Sequence, residues 1–176
     1  MTQFPQIILA KGKEHSLKRF HPWVFSGAIK KKPADLADGD VVEVYSAKNE
    51  FLGMGHYQPG GSISVRIISF KQTEPDADFW REKIQTAYNY RKNLGVIDNP
   101  DTNVYRLIFA EGDGLPGLVI DVYGGTAVVQ AHTVGMYLAR HQISQALQTV
   151  LGAKLESVYD KSAESLSPKS DVEARN

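Results

Sequence analysis

The segment KRFHPWVFSGAI, residues 18–29, sets two cations, an imidazole, a proline and an indole within six positions and leads straight into Lys30, Lys31 and Lys32. Ammonium and guanidinium groups neutralise phosphate, and aromatic or guanidinium planes stack on bases, so this mixture suits recognition of a polyanion. The surroundings extend it. Residues 11–32 hold seven basic side chains, Lys11, Lys13, Lys18, Arg19, Lys30, Lys31 and Lys32, against the single acid Glu14, a net of +6. Lys11-Gly12-Lys13 and Ser26-Gly27 add glycine turns whose backbone amides can reach phosphate oxygens. His21 and Trp23 sit inside the basic run, and Tyr57 and Arg66 are further candidates for the same surface. A solvated basic face with no ligand would carry the same charge run, and an ordinary barrel residue is the plainer reading of Tyr57 or Arg66 taken singly. Trp23 is expected to anchor the fold while its basic neighbours face the ligand.

A second candidate is the loop of residues 111–117, EGDGLPG, with three glycines and two acids. Such a loop can cradle a nucleotide when a helix N-terminus follows it at once and points at the ligand. Here LVIDV follows, which reads as a strand, so the loop is expected to be a structural turn. Asp113, Gly114, Pro116 and Gly117 are its working residues: Pro116 fixes its own φ, the glycines let the chain reverse, and Asp113 can accept from a nearby amide. The five histidines, His15, His21, His56, His132 and His141, show no metal-ligand spacing. No catalytic constellation, cofactor-binding residue or metal site is expected.

The chain has 176 residues, with 20 basic and 20 acidic side chains, and its zero net charge hides an asymmetry. Residues 33–176 hold 13 basic and 19 acidic side chains, a net of −6, opposite in sign to residues 11–32. A dipole of this kind along a sequence points to polyanion binding by one end. Hydrophobic residues make up 42%, enough for a packed core. No apolar run approaches the ~20 residues needed to cross a bilayer, and the start lacks the pattern of a signal peptide. The absence of cysteine excludes disulfides and any thiolate nucleophile in this chain. A cytoplasmic protein with no membrane partner is expected, and a homodimer is compatible with the sequence.

The elements that must position these residues fall in two groups. Residues 5–70 read as short strands separated by Asp-Gly and Pro-Gly-Gly turns, which predicts a small β-barrel, closed or nearly so. Residues 71–78 read as a linker. Trp80, Ile84, Ala87, Tyr88 and Arg91 then recur at helical spacing, with Asp76 as N-cap and Gly95 as stop. Strands are predicted over 105–110, 118–122 and 126–131, the last two joined by a Gly124-Gly125 hairpin. A helix through Ala139, Ile143, Ala146, Leu147 and Val150 and a strand at 156–160 follow, and then a polar, serine-rich remainder. The fold class is α+β: a β-barrel over 1–72 and a mixed α/β unit over 73–176 made of helix, β-hairpin, helix and strand. A sheet ending on an open edge would be expected to gain another strand after Asn176.

LAKGKEHSLKRFHPWVFSGAI closely resembles the opening of bacterial class I S-adenosylmethionine-dependent rRNA methyltransferases of the large-subunit methyltransferase I type. YRLIFAEGDGLPGLVIDVYG, residues 105–124, and SVYDKS, residues 157–162, resemble later motifs of the same family in the same order. The resemblance implies that the barrel is a PUA domain, a small RNA-binding module. It also implies that a Rossmann-like domain with the cofactor site and a cysteine nucleophile for cytosine-C5 methylation of 23S rRNA lies outside this chain. The parent protein would use S-adenosylmethionine, and this chain alone would bind none and be inactive. Three other readings are open: a free-standing PUA-containing RNA-binding protein, a small nucleotide-using enzyme built on residues 111–117, and a module whose basic segment meets an acidic protein.

Overall fold

A computed structural model describes residues 4–166, so the final serine-rich stretch from residue 167 lies outside the described residues. The chain divides into two compact units, Met1–Glu74 and Pro75–Asn176.

Unit 1 is a curled sheet of six strands: β1 (Gln6–Leu9), β2 (Trp23–Phe25), β3 (Ile29–Lys31), β4 (Val41–Tyr45), β5 (Phe51–Tyr57) and β6 (Ile63–Ser69), in the order β2-β6-β5-β4-β1-β3. β1 runs parallel to β4, and every other pairing is antiparallel. The curl follows from the connectivity. β2 and β3 are the two edges, yet only the turn Ser26–Ala28 separates them. The four residues from Phe25 to Ile29 reach at most about 14 Å, whereas the edges of a flat six-stranded sheet lie about 24 Å apart. The sheet therefore bends round until its edges face each other. It stops short of the closed barrel, because β2 pairs with β6 and β3 with β1 but not with each other. The concave side buries Ile7, Leu9, Leu17, Val24, Val42, Val44, Leu52, Tyr57, Val65 and Ile67.

Unit 2 opens with α1 (Ala77–Asn93). The Asp76 side chain caps it by accepting from the Phe79 amide at 2.9 Å. The helix closes at Gly95, φ +69°, with the Gly95 and Val96 amides donating to Lys92 and Arg91 carbonyls, as expected of a left-handed cap. Three antiparallel strands follow, β7 (Val104–Phe109), β8 (Leu118–Tyr123) and β9 (Thr126–Ala131). Gly124 and Gly125 make the two-residue hairpin, Tyr123 pairing with Thr126. A short helix α2 (Val134–Leu138), not foreseen in the sequence, and α3 (Arg140–Leu151) then carry the chain across to β10 (Ser157–Asp160), parallel to β9. The sheet order is β10-β9-β8-β7. Alternate residues of β8 and β9, among them Ile120, Val122, Ala127 and Val129, are buried, as are Trp80, Ile84 and Ala87 of α1 and Ile143, Ala146 and Leu147 of α3.

Candidate nucleic-acid interface

The basic residues of unit 1 ride on turns and on the sheet's open edges. Lys11, Gly12 and Lys13 form the turn after β1, all exposed, with Gly12 at φ +81°. Lys18 and Arg19 belong to a single 3-10 turn, Leu17–Arg19, whose only buried residue is Leu17. Ser26 and Gly27 make the exposed link between β2 and β3, and Lys30, Lys31 and Lys32 lie exposed on and just beyond β3. Among the described residues Lys18 is the one member of the seven cations held in an ion pair, its Nζ 2.8 Å from Glu50 Oε2. That bond raises the Lys18 pKa and lowers that of Glu50. Lys18 is thus already partnered, while Lys11, Lys13, Arg19, Lys30, Lys31 and Lys32 are exposed and make no ion pair among the described residues, Lys32 standing over the Tyr57 ring at 5.2 Å.

The aromatics are arranged differently from the expectation. Trp23 does not anchor the core. Strand alternation sends Val24 inward, 1% exposed, and turns Trp23 and Phe25 to the other face, with Phe25 46% exposed. His21, Trp23 and Phe25 form a triangle of rings with centroids 5.5 to 6.3 Å apart. The Trp23 amide donates to His21 Nδ1 at 3.2 Å, which holds the imidazole beside the indole. Tyr57 is corrected as well: it is 6% exposed and part of the core, so its ring is not available to a base. Arg66 lies opposite Trp23 on β6 and is half-buried, its guanidinium donating to the Gln58 side chain.

Two features escaped the sequence reading. One is Phe25, which the period of two that buries Val24 puts on the same face as Trp23. The other is a cleft of about 490 Å³ on the β1–β3 side, lined by Phe4, Pro5, Gln6, Ile8, Lys31, Lys32 and Pro33. It joins two ammonium groups to an apolar floor and contains no acid.

In unit 2, residues 111–117 form a turn. Asp113 accepts from the Phe109 amide at 2.6 Å and takes a two-pronged ion pair from Arg91. The Gly114 and Leu115 amides donate to the Glu111 and Ala110 carbonyls. Gly114 has φ +66° and Gly117 φ +86°, and a Cβ at Gly117 would lie 2.6 Å from the Thr133 side chain. Pro116 is buried between them, and the chain then enters β8.

Residues 7–70 match the family model of the PUA-like domain. The chain carries a PUA-like domain. Around and beyond that PUA-like domain, the chain is 34% identical over 171 residues to ribosomal RNA large subunit methyltransferase I of Klebsiella pneumoniae, covering 97% of this chain and 42% of the relative. It is 36% identical over 169 residues to the protein of the same name from Escherichia coli, covering 96% and 42%. A solved structure from Streptococcus mutans, described as a SAM-dependent methyltransferase, superposes with a TM-score of 0.74 at 24% identity over 89% of this chain and 40% of that one. A solved methyltransferase-type protein in complex with SAH superposes with a TM-score of 0.73 at 24% identity, over 88% and 40%. At that identity the structural likeness concerns the fold alone. The chain spans about two fifths of the length of these relatives. Among the described residues no helix is long and apolar enough to cross a membrane.

Proposed function

We propose that the chain is the RNA-binding, N-terminal region of an S-adenosylmethionine-dependent rRNA methyltransferase, holding 23S rRNA for a catalytic domain outside this chain. The observation that carries the reading is the set of six solvent-facing cations that have no acidic partner among the described residues, on the turns and edges of the PUA-like domain. Lys11, Lys13, Arg19 and Lys30 contact phosphates, the turns at Gly12 and Gly27 offer exposed backbone, and Lys18 contributes once Glu50 releases it. The similarity to large-subunit rRNA methyltransferases supports rRNA as the partner and the cytoplasm as the place.

The reaction assigned to the whole protein is 5-methylation of cytosine, which in this family requires a cysteine nucleophile. The chain contains no cysteine. S-adenosylmethionine does not fit the one glycine-rich loop either. Its Gly114 and Leu115 amides are used inside the turn, and a strand follows where a helix N-terminus would be needed. Both groups are therefore assigned to the part of the longer protein outside this chain. Residues 111–117 hold α1 against the β7–β8 connection.

The test uses the purified chain. It should retain 23S rRNA fragments in a filter-binding assay and transfer no labelled methyl group to them above a no-protein control, whereas a full-length relative should do both. A chain that binds no RNA, or one that methylates it, contradicts the proposal.

A further inference from the structure

The open seam of unit 1 has two unlike lips. One is β2, which presents the His21, Trp23 and Phe25 rings. The other is β3, with Lys30 exposed and Lys31 and Lys32 lining the cleft beside Ile8. The Ser26–Ala28 turn joins the lips and keeps them within about 14 Å of each other along the chain. The aromatic rings therefore stand before that turn and the ammonium groups after it, on two edge strands that do not pair with each other, and the cleft on the β1–β3 side has no acidic side chain among its lining residues.

We infer that this seam is the track of an unpaired RNA segment, one base stacking on the exposed Phe25 ring, which Trp23 buttresses edge-on, while the adjoining phosphates meet Lys30, Lys31 and Lys32. The inference rests on the RNA-binding reading above and sharpens it from RNA to unpaired RNA. Three observations lead there. Phe25 is 46% exposed on the convex side, away from the core it would stabilise if it pointed inward. The rings already pack on one another before any ligand arrives. Trp23 stands edge-on to both neighbouring rings, at 81° and 86°, and His21 is fixed by the Trp23 amide, so little rotamer freedom is lost on stacking. Stacking also needs a base with an open face. Bases inside an A-form duplex stack on one another and offer none, so an aromatic platform selects loops, bulges and single strands.

The test compares a short unpaired oligoribonucleotide with a duplex of the same sequence, titrated against the whole chain. Trp80 is 1% exposed, so in a Trp80→Phe background the remaining indole emission reports Trp23. The unpaired strand should quench that emission and bind more tightly than the duplex. Phe25→Ala, an exposed change that leaves Val24 in place, should weaken unpaired-strand binding roughly 5- to 100-fold and leave duplex binding and the melting temperature nearly unchanged. Trp23→Phe, which keeps an aromatic plane, should lose less than Trp23→Ala. Lys30→Ala should weaken both RNAs together and reduce the salt slope. Equal affinity for the two RNAs, or an unaltered unpaired-strand affinity in Phe25→Ala, overturns the seam as a stacking track while RNA binding itself stands. A parent chain that binds neither RNA overturns the broader reading and this one with it.

Discussion

Arg91 of α1 and Asp113 of the turn after β7 form a two-pronged ion pair, with Nη2 to Oδ2 at 2.7 Å and side chains only 11% and 9% exposed. Arg91 Nε also donates to the Arg106 carbonyl at 3.1 Å, and the Asp113 carboxylate accepts from the Phe109 amide. The pair therefore ties the helix to β7 and to the turn that leads towards β8. Removing one partner leaves the other buried and charged, so Asp113→Ala should cost about 3 to 5 kcal/mol in chemical denaturation. The more exposed pair Arg106–Asp121, at 2.8 Å with side chains 45% and 17% exposed, should be far less sensitive, with Arg106→Ala costing about 1 kcal/mol or less.

Gly114 should be difficult to replace. Its φ of +66° is costly for any β-branched residue, so Gly114→Val should destabilise the fold by about 1 to 3 kcal/mol, read as a lower melting temperature. RNA affinity of the folded fraction should hardly change, since the basic cluster belongs to the other unit. Intact melting with lost RNA binding would move the loop into the binding site.

His56 predicts an acid-sensitive stability. Burial lowers its pKa from 6.5 to about 4, so the folded chain keeps it neutral where the unfolded chain protonates it. The folded-state value is depressed, and the unfolded state therefore binds the extra proton between about pH 6.5 and 4. Stability should fall through that window by up to about 1.4 kcal/mol per pH unit, with the full contribution present above pH 6.5. Denaturation curves at several pH values check this, and His56→Gln should flatten the dependence over the same range.

Much of the architecture could be read from local signals. Asp76 and Gly95 bracket α1 because capping chemistry is encoded within a few residues, and Gly124-Gly125 marks its hairpin for the same reason. What could not be read depends on long-range pairing. β3 is built from Ile29, Lys30 and Lys31, which look like a solvated charge run until Leu9 and Ile8 pair with them. The direction of Trp23 depends on which neighbour enters the core, and Val24 takes that place. The Lys18–Glu50 and Arg91–Asp113 pairs join residues 32 and 22 positions apart, beyond any helical or strand period. The seam is likewise invisible to periodicity, because it exists only once β2 and β3 occupy opposite edges of one sheet.

The central claim is that the exposed cations of unit 1 hold RNA phosphates. The most direct measurement is the slope of log K against log salt for a single-stranded 23S rRNA fragment, on the parent chain and on a variant with Arg19, Lys30 and Lys31 changed to Ala. Each lost phosphate contact should reduce the slope by about 0.7, so the triple variant should be flatter by about 2 with its melting temperature preserved. A slope unchanged in the triple variant would contradict the account and place the RNA surface elsewhere.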